Sequence, residues 1–265
     1  MNEYNNSSVV WVFKPIGWTP KDCIIEYQKT EPKKMAFAGR LDPMAYGLLP
    51  LIIHQQNIDT KQVQEKKVSL QSSYKTYQFK LVLGFESDTY DILGLVKSKE
   101  INKDFLNDIE KVTGPKIQSY PPYSSQKAFS PHYNKKVPLW KLAKDGHLPD
   151  IIPTKEIDIR SIKILGQNTI TNNEFLELIK IRFSSLLNQT NYRNDEILSR
   201  WQETLQKNDS ITVYHLEARV STGTYIRSIG NNLGGVVYDI CRTSMDTKTL
   251  ENLDKYDKFK FVHDV

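Results

Sequence analysis

The longest run of apolar residues in this sequence is short and extends only from Gly47 to Ile53. A membrane-spanning helix needs about 18 or more consecutive apolar residues, so no segment of the chain qualifies. The run instead predicts a buried strand or a short core segment. The chain must therefore fold around its own core, and 265 residues are enough for one large domain or two small ones.

Strands outnumber helices in the pattern of apolar residues. Tyr77 to Leu83 alternates in the way of a half-buried strand, and three further strands are predicted over residues 157–165, 175–183 and 211–220. One helix is predicted after Thr19, because Thr19 is a capping residue and Pro20 suits the first helical position. Other helices are predicted over residues 102–112, 138–144 and 224–233. This mixture predicts an α+β fold.

Residues 186–210 differ from the rest of the chain, because they are rich in Asn, Gln and charged residues. Within them, Ile197, Trp201 and Leu205 recur at four-residue intervals, which predicts a short amphipathic helix. We interpret this segment as an insertion or lid between two strands, and we attribute no chemistry to it.

Composition limits the classes of protein to consider. Hydrophobic residues make up 39% and charged residues 25%, which is typical of a folded protein. The net charge of +5 permits a polyanionic partner but does not establish one. The first eight residues are polar and unlike a signal peptide, so we expect an intracellular protein that is not secreted, in the cytoplasm, nucleus or an organelle.

The two cysteines, Cys23 and Cys241, are far apart in sequence. Without a secretion signal they are expected to be buried small hydrophobic residues and not a disulfide. Two thiols cannot form a zinc site alone, and the five histidines show no ligand spacing. We therefore expect no metal.

The segment that carries the clearest chemical signal is residues 39–47, Gly-Arg-Leu-Asp-Pro-Met-Ala-Tyr-Gly. An Asp followed by Pro is usually a turn or cap residue. Here, however, Asp42 lies between Gly39 and Gly47, and the apolar run follows at once. This arrangement places a carboxylate at the edge of a core element, where a rigid scaffold can orient it.

This segment resembles the G-x-L-D-P-x-A-x-G signature of TruB-type pseudouridine synthases, in which the Asp is catalytic. Six other segments resemble motifs of the same family in the same order: Lys-Pro-Ile-Gly-Trp-Thr at 14–19, Lys-Thr-Tyr at 75–77 with 83–84 and 88–91, and residues 118–127, 139–146, 223–228 and 242–243. Each motif is weak alone, but seven in order, over roughly residues 12 to 245, identify the chain as similar to this family.

The resemblance implies the pseudouridine synthase fold, a curved, mostly antiparallel mixed sheet flanked by helices with a central RNA-binding cleft. We expect residues 1–265 to form a single catalytic domain, with no C-terminal PUA domain because the chain ends about 20 residues after the last motif. The implied substrate is the T-loop uridine 55 of tRNA. We expect no cofactor, since the isomerisation is redox-neutral, and no guide RNA or obligatory protein partner for a monomeric enzyme.

The resemblance also implies three catalytic residues. Asp42 would start the reaction, by attacking the sugar or the base or by taking a proton from C2′, and the sequence leaves these routes open. Arg227 would pair with Asp42 and keep the carboxylate ionised and oriented. Tyr77 would pack on the extruded uracil and is a candidate base for the C5 proton.

Further residues are implied to bind RNA. Tyr225 is expected to position the helix of Arg227, and Ile240 corresponds to an aliphatic residue that closes the pocket. The implied RNA-binding residues are Phe37, Arg40, Lys75, Tyr123, Lys127, Tyr225 and Ile240. Phosphate contacts are expected from lysines, among which Lys127 closes a matched motif and the other candidates are Lys33, Lys34, Lys66, Lys67, Lys135, Lys136, Lys141 and Lys144.

Three residues depart from the family pattern. Phe37 stands where the family has a histidine, Arg40 replaces a small residue, and Tyr46 replaces a small hydroxyl residue. They bear on rate, substrate choice and base flipping. Two alternatives stay open. The expected lack of a tail domain and the insertion at 186–210 suggest the same chemistry on ribosomal, messenger or organelle RNA. Phe37 and Tyr46 suggest a non-catalytic RNA-binding or RNA-folding protein that keeps the cleft.

Overall fold

A computed structural model describes residues 9–54, 60–186, 193–205, 210–245, 248–250, 253, 258 and 260–262. The chain divides into two compact units. The first unit comprises Met1–Gln78, Ser184–Thr190 and Ile240–Val265, and the second comprises Phe79–Phe183 and Asn191–Asp239.

The elements of the first unit are β1 (Val9–Lys14), α1 (Pro20–Gln28), β2 (Met35–Phe37), β3 (Tyr46–Ile53), α2 (Thr60–Ser72), β13 (Lys248–Thr249) and β14 (Lys260–Phe261). Those of the second unit are β5 (Phe85–Ser87), β6 (Val96–Ser98), α3 (Phe105–Lys111), β7 (Gly114–Ser119), β8 (Lys127–Ser130), β9 (Lys135–Pro138), α4 (Leu139–Lys144), β10 (Thr154–Thr171), α5 (Asn172–Ser185), α6 (Asn194–Leu205), β11 (Ser210–Val220) and α7 (Ile226–Asn232). Strands β4 (Lys75–Leu83) and β12 (Gly235–Met245) contribute residues to both units.

The apolar run predicted as a buried strand is β3, the central strand of the first unit. Its neighbours follow the order β14-β1-β3-β12, with β2 beside β3 and β13 beside β12. All of these described pairings are antiparallel except β3 with β12, which is parallel. Because side chains alternate along a strand, Leu48 and Ile52 belong to one core cluster of buried residues and Leu49, Leu51 and Ile53 to another.

Helix α1 begins as predicted at Thr19 and Pro20. The Thr19 hydroxyl accepts a hydrogen bond from the Asp22 amide at 3.2 Å, and the Asp22 carboxylate accepts one from the Thr19 amide at 2.6 Å. This capping box satisfies two amides that have no partner within a helix. The helix then buries Cys23 and Tyr27 in the core of the first unit.

The sheet of the second unit confirms the predicted α+β class, with mostly antiparallel strands and flanking helices. Its strand order is β4-β11-β10-β7, and the β11–β10 and β10–β7 pairs are both antiparallel. Two hairpins, β5–β6 and β8–β9, form separate two-stranded sheets. The predicted helices near residues 102–112, 138–144 and 224–233 correspond to α3, α4 and α7.

The strand predicted over residues 175–183 is wrong, because this segment is part of α5. Phe175, Ile179 and Phe183 are buried at every fourth position, the period of one helix face. The start of the helix is also specified, since the Glu174 carboxylate accepts from the Thr171 amide at 2.7 Å and the Thr171 hydroxyl accepts from the Glu174 amide at 3.2 Å. The spacing and the cap together specify a helix for this segment.

The amphipathic helix predicted within residues 186–210 is confirmed as α6, which buries Ile197, Trp201 and Leu205. Residues 187–192 and 206–209 of that segment lie outside the described part of the chain. Its interpretation as an insertion or lid, and the assignment of the whole chain to one catalytic domain, stay predictions.

The structure also bears on the expectations about the cysteines and about membrane-spanning helices. Cys23 and Cys241 are both buried, as expected for small hydrophobic side chains. Among the described helices, none is long and apolar enough to cross a membrane.

The corrected helix gives a test of the packing. Phe175 is fully buried, with ring centroids 5.6 Å from Trp201 and 5.5 Å from Tyr238. Phe175→Ala should lower the free energy of unfolding by about 3–5 kcal/mol, because it leaves a cavity. Urea denaturation followed by circular dichroism would measure this loss. Ile181→Ala on the exposed side of the same helix is the control and should cost less than about 1 kcal/mol, so equal losses would contradict the orientation of α5.

Candidate active site

The loop between β2 and β3 carries Asp42 and is fixed in place by apolar neighbours. Leu41, Met44 and Ala45 are buried on either side of Asp42, which is itself half-buried. The Asp42 carbonyl accepts a hydrogen bond from the Ala45 amide at 3.0 Å, and the Pro43 carbonyl accepts one from the Gly17 amide at 2.9 Å. The carboxylate therefore stands on a backbone with little freedom to move.

A buried arginine on β12 joins the two ends of this loop. The Arg242 Nη2 donates to the Gly39 carbonyl at 3.0 Å, and its Nε donates to the Leu48 carbonyl at 2.7 Å. The backbone of Arg242 also lies against Gly47, where an added Cβ would be 2.3 Å from the Arg242 carbonyl oxygen. Gly47 has φ of +108°, so both the space and the backbone conformation require glycine at this position.

Lys14 is the second buried cation near the loop. Its ammonium group donates to the Pro15 carbonyl at 2.9 Å and to the Trp18 carbonyl at 2.6 Å. Burial lowers the pKa of Lys14 to about 7, while electrostatic interactions with Cys23 and Asp42 act in the opposite direction. The lysine thus lies within electrostatic range of the candidate catalytic carboxylate.

The other candidate residues of the first unit differ in exposure. Tyr77 is buried on β4, as its place on an alternating strand predicts. Ile240 is buried on β12, Phe37 is half-buried against the core, and Arg40 is exposed. Lys75 is buried, and its ammonium donates to the carbonyls of Gln71 and Ser73.

In the second unit, Arg227 occupies the first turn of α7 and is almost fully buried. Its Nη1 donates to the Thr89 carbonyl at 2.8 Å and lies 3.3 Å from the Asp91 carboxylate. Its Nη2 donates to the Tyr123 carbonyl at 3.3 Å. Three acceptors therefore orient this guanidinium, which stays charged at all relevant pH values.

Two of these acceptors belong to residues 88–95, which we call the arginine-holding loop. Within it, the Asp91 carboxylate accepts from the Thr89 hydroxyl at 2.6 Å and from the Leu93 amide at 2.9 Å. An added Cβ at Gly94 would lie 2.4 Å from the Asp88 carboxylate and 2.4 Å from the Thr89 hydroxyl. The loop is thus closely packed on itself and fixes the carboxylate that faces Arg227.

Gln118 fixes the residue that precedes the arginine helix. Its side-chain amide donates to the Tyr225 carbonyl at 3.2 Å, and its side-chain oxygen accepts from the Tyr225 amide at 2.8 Å. The Tyr225 ring packs edge-on against Tyr120, with centroids 5.6 Å apart. Tyr225 is therefore held on both sides of its backbone, and its role in positioning the helix of Arg227 stays a prediction.

The ten candidate residues divide between the two units. The first unit holds Asp42, Tyr77, Phe37, Arg40, Lys75 and Ile240, and the second holds Arg227, Tyr123, Lys127 and Tyr225. Lys127 is exposed at the start of β8, and Tyr123 is half-buried. The predicted pair of Arg227 with Asp42 stays a prediction, whereas the structure adds Asp91 as a partner of Arg227.

Four residues of the site were present in the matched motifs but received no role from the sequence. These are Lys14, Asp91, Gln118 and Arg242, all of them buried. Their places inside the matched motifs marked these residues, but the sequence did not show the polar partners that a buried charged or amide side chain needs. Within the described ranges, no group of three His, Cys, Asp or Glu side chains could hold a metal ion.

Comparison with known proteins places this arrangement in a family. The family model of the TruB family pseudouridylate synthase (N terminal domain) matches residues 27–184, more than half of the chain. Proteins named "tRNA pseudouridine synthase B" are similar: that of Bacillus subtilis (strain 168) is 33% identical over 128 residues, covering 46% of this chain and 39% of the relative. That of Oenococcus oeni is 27% identical over 258 residues, covering 95% of this chain and 70% of the relative.

The chain spans about half the length of the first curated relatives it matches. Among solved structures, a chain of the "Cbf5-Nop10-Gar1 Complex" aligns with a TM-score of 0.50 and 15% identity, covering 89% of this chain and 48% of that one. At this identity the likeness concerns the fold alone.

The buried lysine predicts a pH dependence of stability. The pKa of Lys14 is about 7 in the folded protein against 10.5 for an ordinary lysine. Between these values the unfolded chain binds more protons, so the stability of the wild type should rise with pH by up to about 1.4 kcal/mol per pH unit. Lys14→Met should lack this rise.

Denaturant titrations at several pH values between 7 and 10 would measure the effect as the difference between wild type and Lys14→Met. Cys23 and Tyr27, whose pKa values burial raises to about 12, are common to both proteins and cancel in that difference. Lys21→Met, at an exposed position of α1, is the control and should leave the slope unchanged. Parallel curves for wild type and Lys14→Met would contradict the lowered pKa.

Proposed function

We propose that this chain, which belongs to the TruB family of pseudouridylate synthases, converts a uridine of RNA to pseudouridine and acts on the T-loop uridine 55 of tRNA. The names of the similar proteins supply the substrate, since each is called a tRNA pseudouridine synthase B. The structural observation that carries the proposal is the anchoring of Asp42 by Arg242, Gly17 and buried apolar neighbours.

The reaction needs groups that act in order. The bond between N1 of uracil and C1′ of the sugar breaks, the base rotates and a bond forms between C5 and C1′. The C5 proton is then removed and N1 takes up a proton, so that the product has the same composition as uridine. No electrons are gained or lost, so the chain's own side chains suffice. A carboxylate held in a fixed orientation lowers the barrier because it need not reorganise during the reaction.

Asp42 is proposed to begin this sequence, by one of the routes that a carboxylate at the sugar can take. Its loop leaves the side chain half-buried, so a flipped nucleotide can reach it while the backbone stays fixed. Lys14 lies within electrostatic range of this carboxylate.

Tyr77 and Arg227 are proposed to complete the catalytic set. Tyr77 would pack on the extruded uracil and take the C5 proton, and Arg227 would orient Asp42. The three acceptors around the Arg227 guanidinium fix the orientation of its plane. A planar guanidinium in a fixed frame can orient a carboxylate more narrowly than a mobile lysine.

RNA binding is proposed to be largely electrostatic. Of the candidate lysines, Lys67 is half-buried and the others are exposed, as phosphate contacts require: Lys33, Lys34, Lys66, Lys127, Lys135, Lys136, Lys141 and Lys144. Arg40, exposed beside Asp42, adds positive charge where RNA would approach. We propose that the enzyme acts inside the cell as a monomer, without a guide RNA or an obligatory protein partner.

The packing of Tyr46 weakens one argument for the non-catalytic alternative. Tyr46, one of its arguments, packs against Phe13 with ring centroids 6.0 Å apart. The tyrosine side chain, larger than the small hydroxyl residue of the family, is therefore accommodated in the core of the first unit. The candidate carboxylate Asp42 is kept. The alternative of a different RNA substrate is tested by comparing a tRNA transcript with total cellular RNA.

The central test compares wild type with Asp42→Asn on an unmodified tRNA transcript. Pseudouridine would be mapped by carbodiimide treatment and primer extension. Wild type should form pseudouridine at position 55, and Asp42→Asn should lose at least about a thousandfold in rate because an amide neither attacks nor accepts a proton. RNA binding should stay within a few-fold of wild type, since the two side chains have nearly the same shape.

Asp150→Asn, at an exposed position, controls for the charge change and should keep full activity. If wild type modifies total cellular RNA but not the tRNA transcript, the substrate is another RNA. If it binds RNA and modifies none, the proposed activity is wrong and the non-catalytic alternative replaces it.

A further inference from the structure

Helix α6, for which the sequence suggested no chemistry, touches the loop that holds Arg227. Arg193, immediately before the helix, donates from Nη2 to the Asp88 carboxylate at 2.7 Å. Its guanidinium also lies over the ring of Tyr123, with the central carbon 5.2 Å from the ring centroid. Arg193 therefore contacts both the arginine-holding loop and the residue whose carbonyl accepts from Arg227.

A second contact fixes the helix that carries this arginine. Trp201 is fully buried, and its indole nitrogen donates to the Ile92 carbonyl at 3.0 Å. Its ring packs against Phe85 and Phe175, each with centroids 5.6 Å away. Because Trp201 ties α6 to Ile92, Arg193 is presented to Asp88 in a defined position.

The arginine-holding loop needs such support. Tyr90 has φ of +66°, a left-handed conformation that costs a non-glycine residue about 1–2 kcal/mol. The loop is held on one side by the Ile92 amide, which donates to the Val237 carbonyl at 3.1 Å. On another side Asp88 accepts from the Leu95 amide at 2.8 Å with one oxygen and from Arg193 with the other.

We propose that Arg193 is a positioning residue for catalysis, acting through Asp88 and Tyr123 to keep Arg227 oriented. This inference rests on the proposed function, because it gives Arg193 a part in the same reaction. The chain of contacts is direct: Arg193 to Asp88, the loop to Thr89 and Asp91, and these to the Arg227 guanidinium.

The exposure of the ion pair distinguishes a role of Arg193 in catalysis from a role in the stability of the fold. The side chains of Arg193 and Asp88 are 31% and 34% exposed. An ion pair with that much solvent around it contributes little to the free energy of unfolding. A small displacement of a catalytic group can nevertheless lower the rate a great deal. Loss of Arg193 should therefore affect turnover far more than folding.

The first experiment measures kcat and KM for pseudouridine formation with Arg193→Ala. We expect kcat to fall about tenfold, KM to change less than about twofold, and the melting temperature to stay within a few degrees. Arg193→Lys, which keeps the charge beside Asp88, should recover part of kcat. Arg200→Ala removes an exposed arginine from the same helix and should behave as wild type.

A double-mutant cycle identifies the partner. In the background of Asp88→Asn, the further change Arg193→Ala should lower kcat by less than about twofold, because the ion pair is already lost. Independent, multiplicative effects of the two changes would overturn the proposal. A higher KM with unchanged kcat would overturn it as well, since that pattern indicates a direct contact with RNA phosphates.

A measurement without RNA separates this inference from the proposed function. Hydrogen–deuterium exchange of the peptide covering residues 87–95 should be faster in Arg193→Ala than in wild type, and unchanged in Arg200→Ala. Unchanged exchange in Arg193→Ala would overturn the positioning role. If wild type modifies no RNA, the proposed function fails and the catalytic role of Arg193 fails with it, whereas faster exchange would still establish the support of the loop.

Discussion

The first unit depends on one buried arginine, Arg242, whose guanidinium donates to the carbonyls of Gly39 and Leu48. These two carbonyls mark the beginning and the end of the loop that carries Asp42. Removal of the guanidinium would take one hydrogen-bond donor from each carbonyl, at a cost of about 1–3 kcal/mol for each bond lost. Arg242 therefore both holds the loop of the candidate carboxylate Asp42 and lies on the strand that pairs in parallel with β3.

The second unit uses the same device at Arg227, where main-chain carbonyls and one carboxylate surround a buried guanidinium. Lys14 is held in the same way, since its ammonium donates to two main-chain carbonyls. At Arg242 the acceptors are neutral carbonyls, which satisfy the donors without adding a negative charge, whereas at Arg227 the Asp91 carboxylate adds one. In both units the side chain that holds a loop is therefore also a buried charged group.

Local sequence predicted the elements whose cause is local. The apolar run gave β3, the Thr19 cap gave α1, and the spacing of Ile197 and Trp201 gave α6. At α5 the prediction was wrong because the segment was interpreted as a strand although its buried residues recur at a four-residue spacing. The roles of Arg242 and Arg193 were beyond sequence reasoning for a different reason: their acceptors lie 194, 203 and 105 positions away, and two of the three are main-chain atoms that any residue supplies.

The three departures from the family pattern differ in what constrains them. Tyr46 packs against Phe13, and Phe37 is half-buried against the core, so each is fitted to apolar neighbours. Arg40 is exposed and has no such constraint from packing. A phosphate backbone responds to exposed charge and not to core shape. Under the proposed function, Arg40 is therefore the departure that would act on RNA directly, whereas Tyr46 and Phe37 would act through packing.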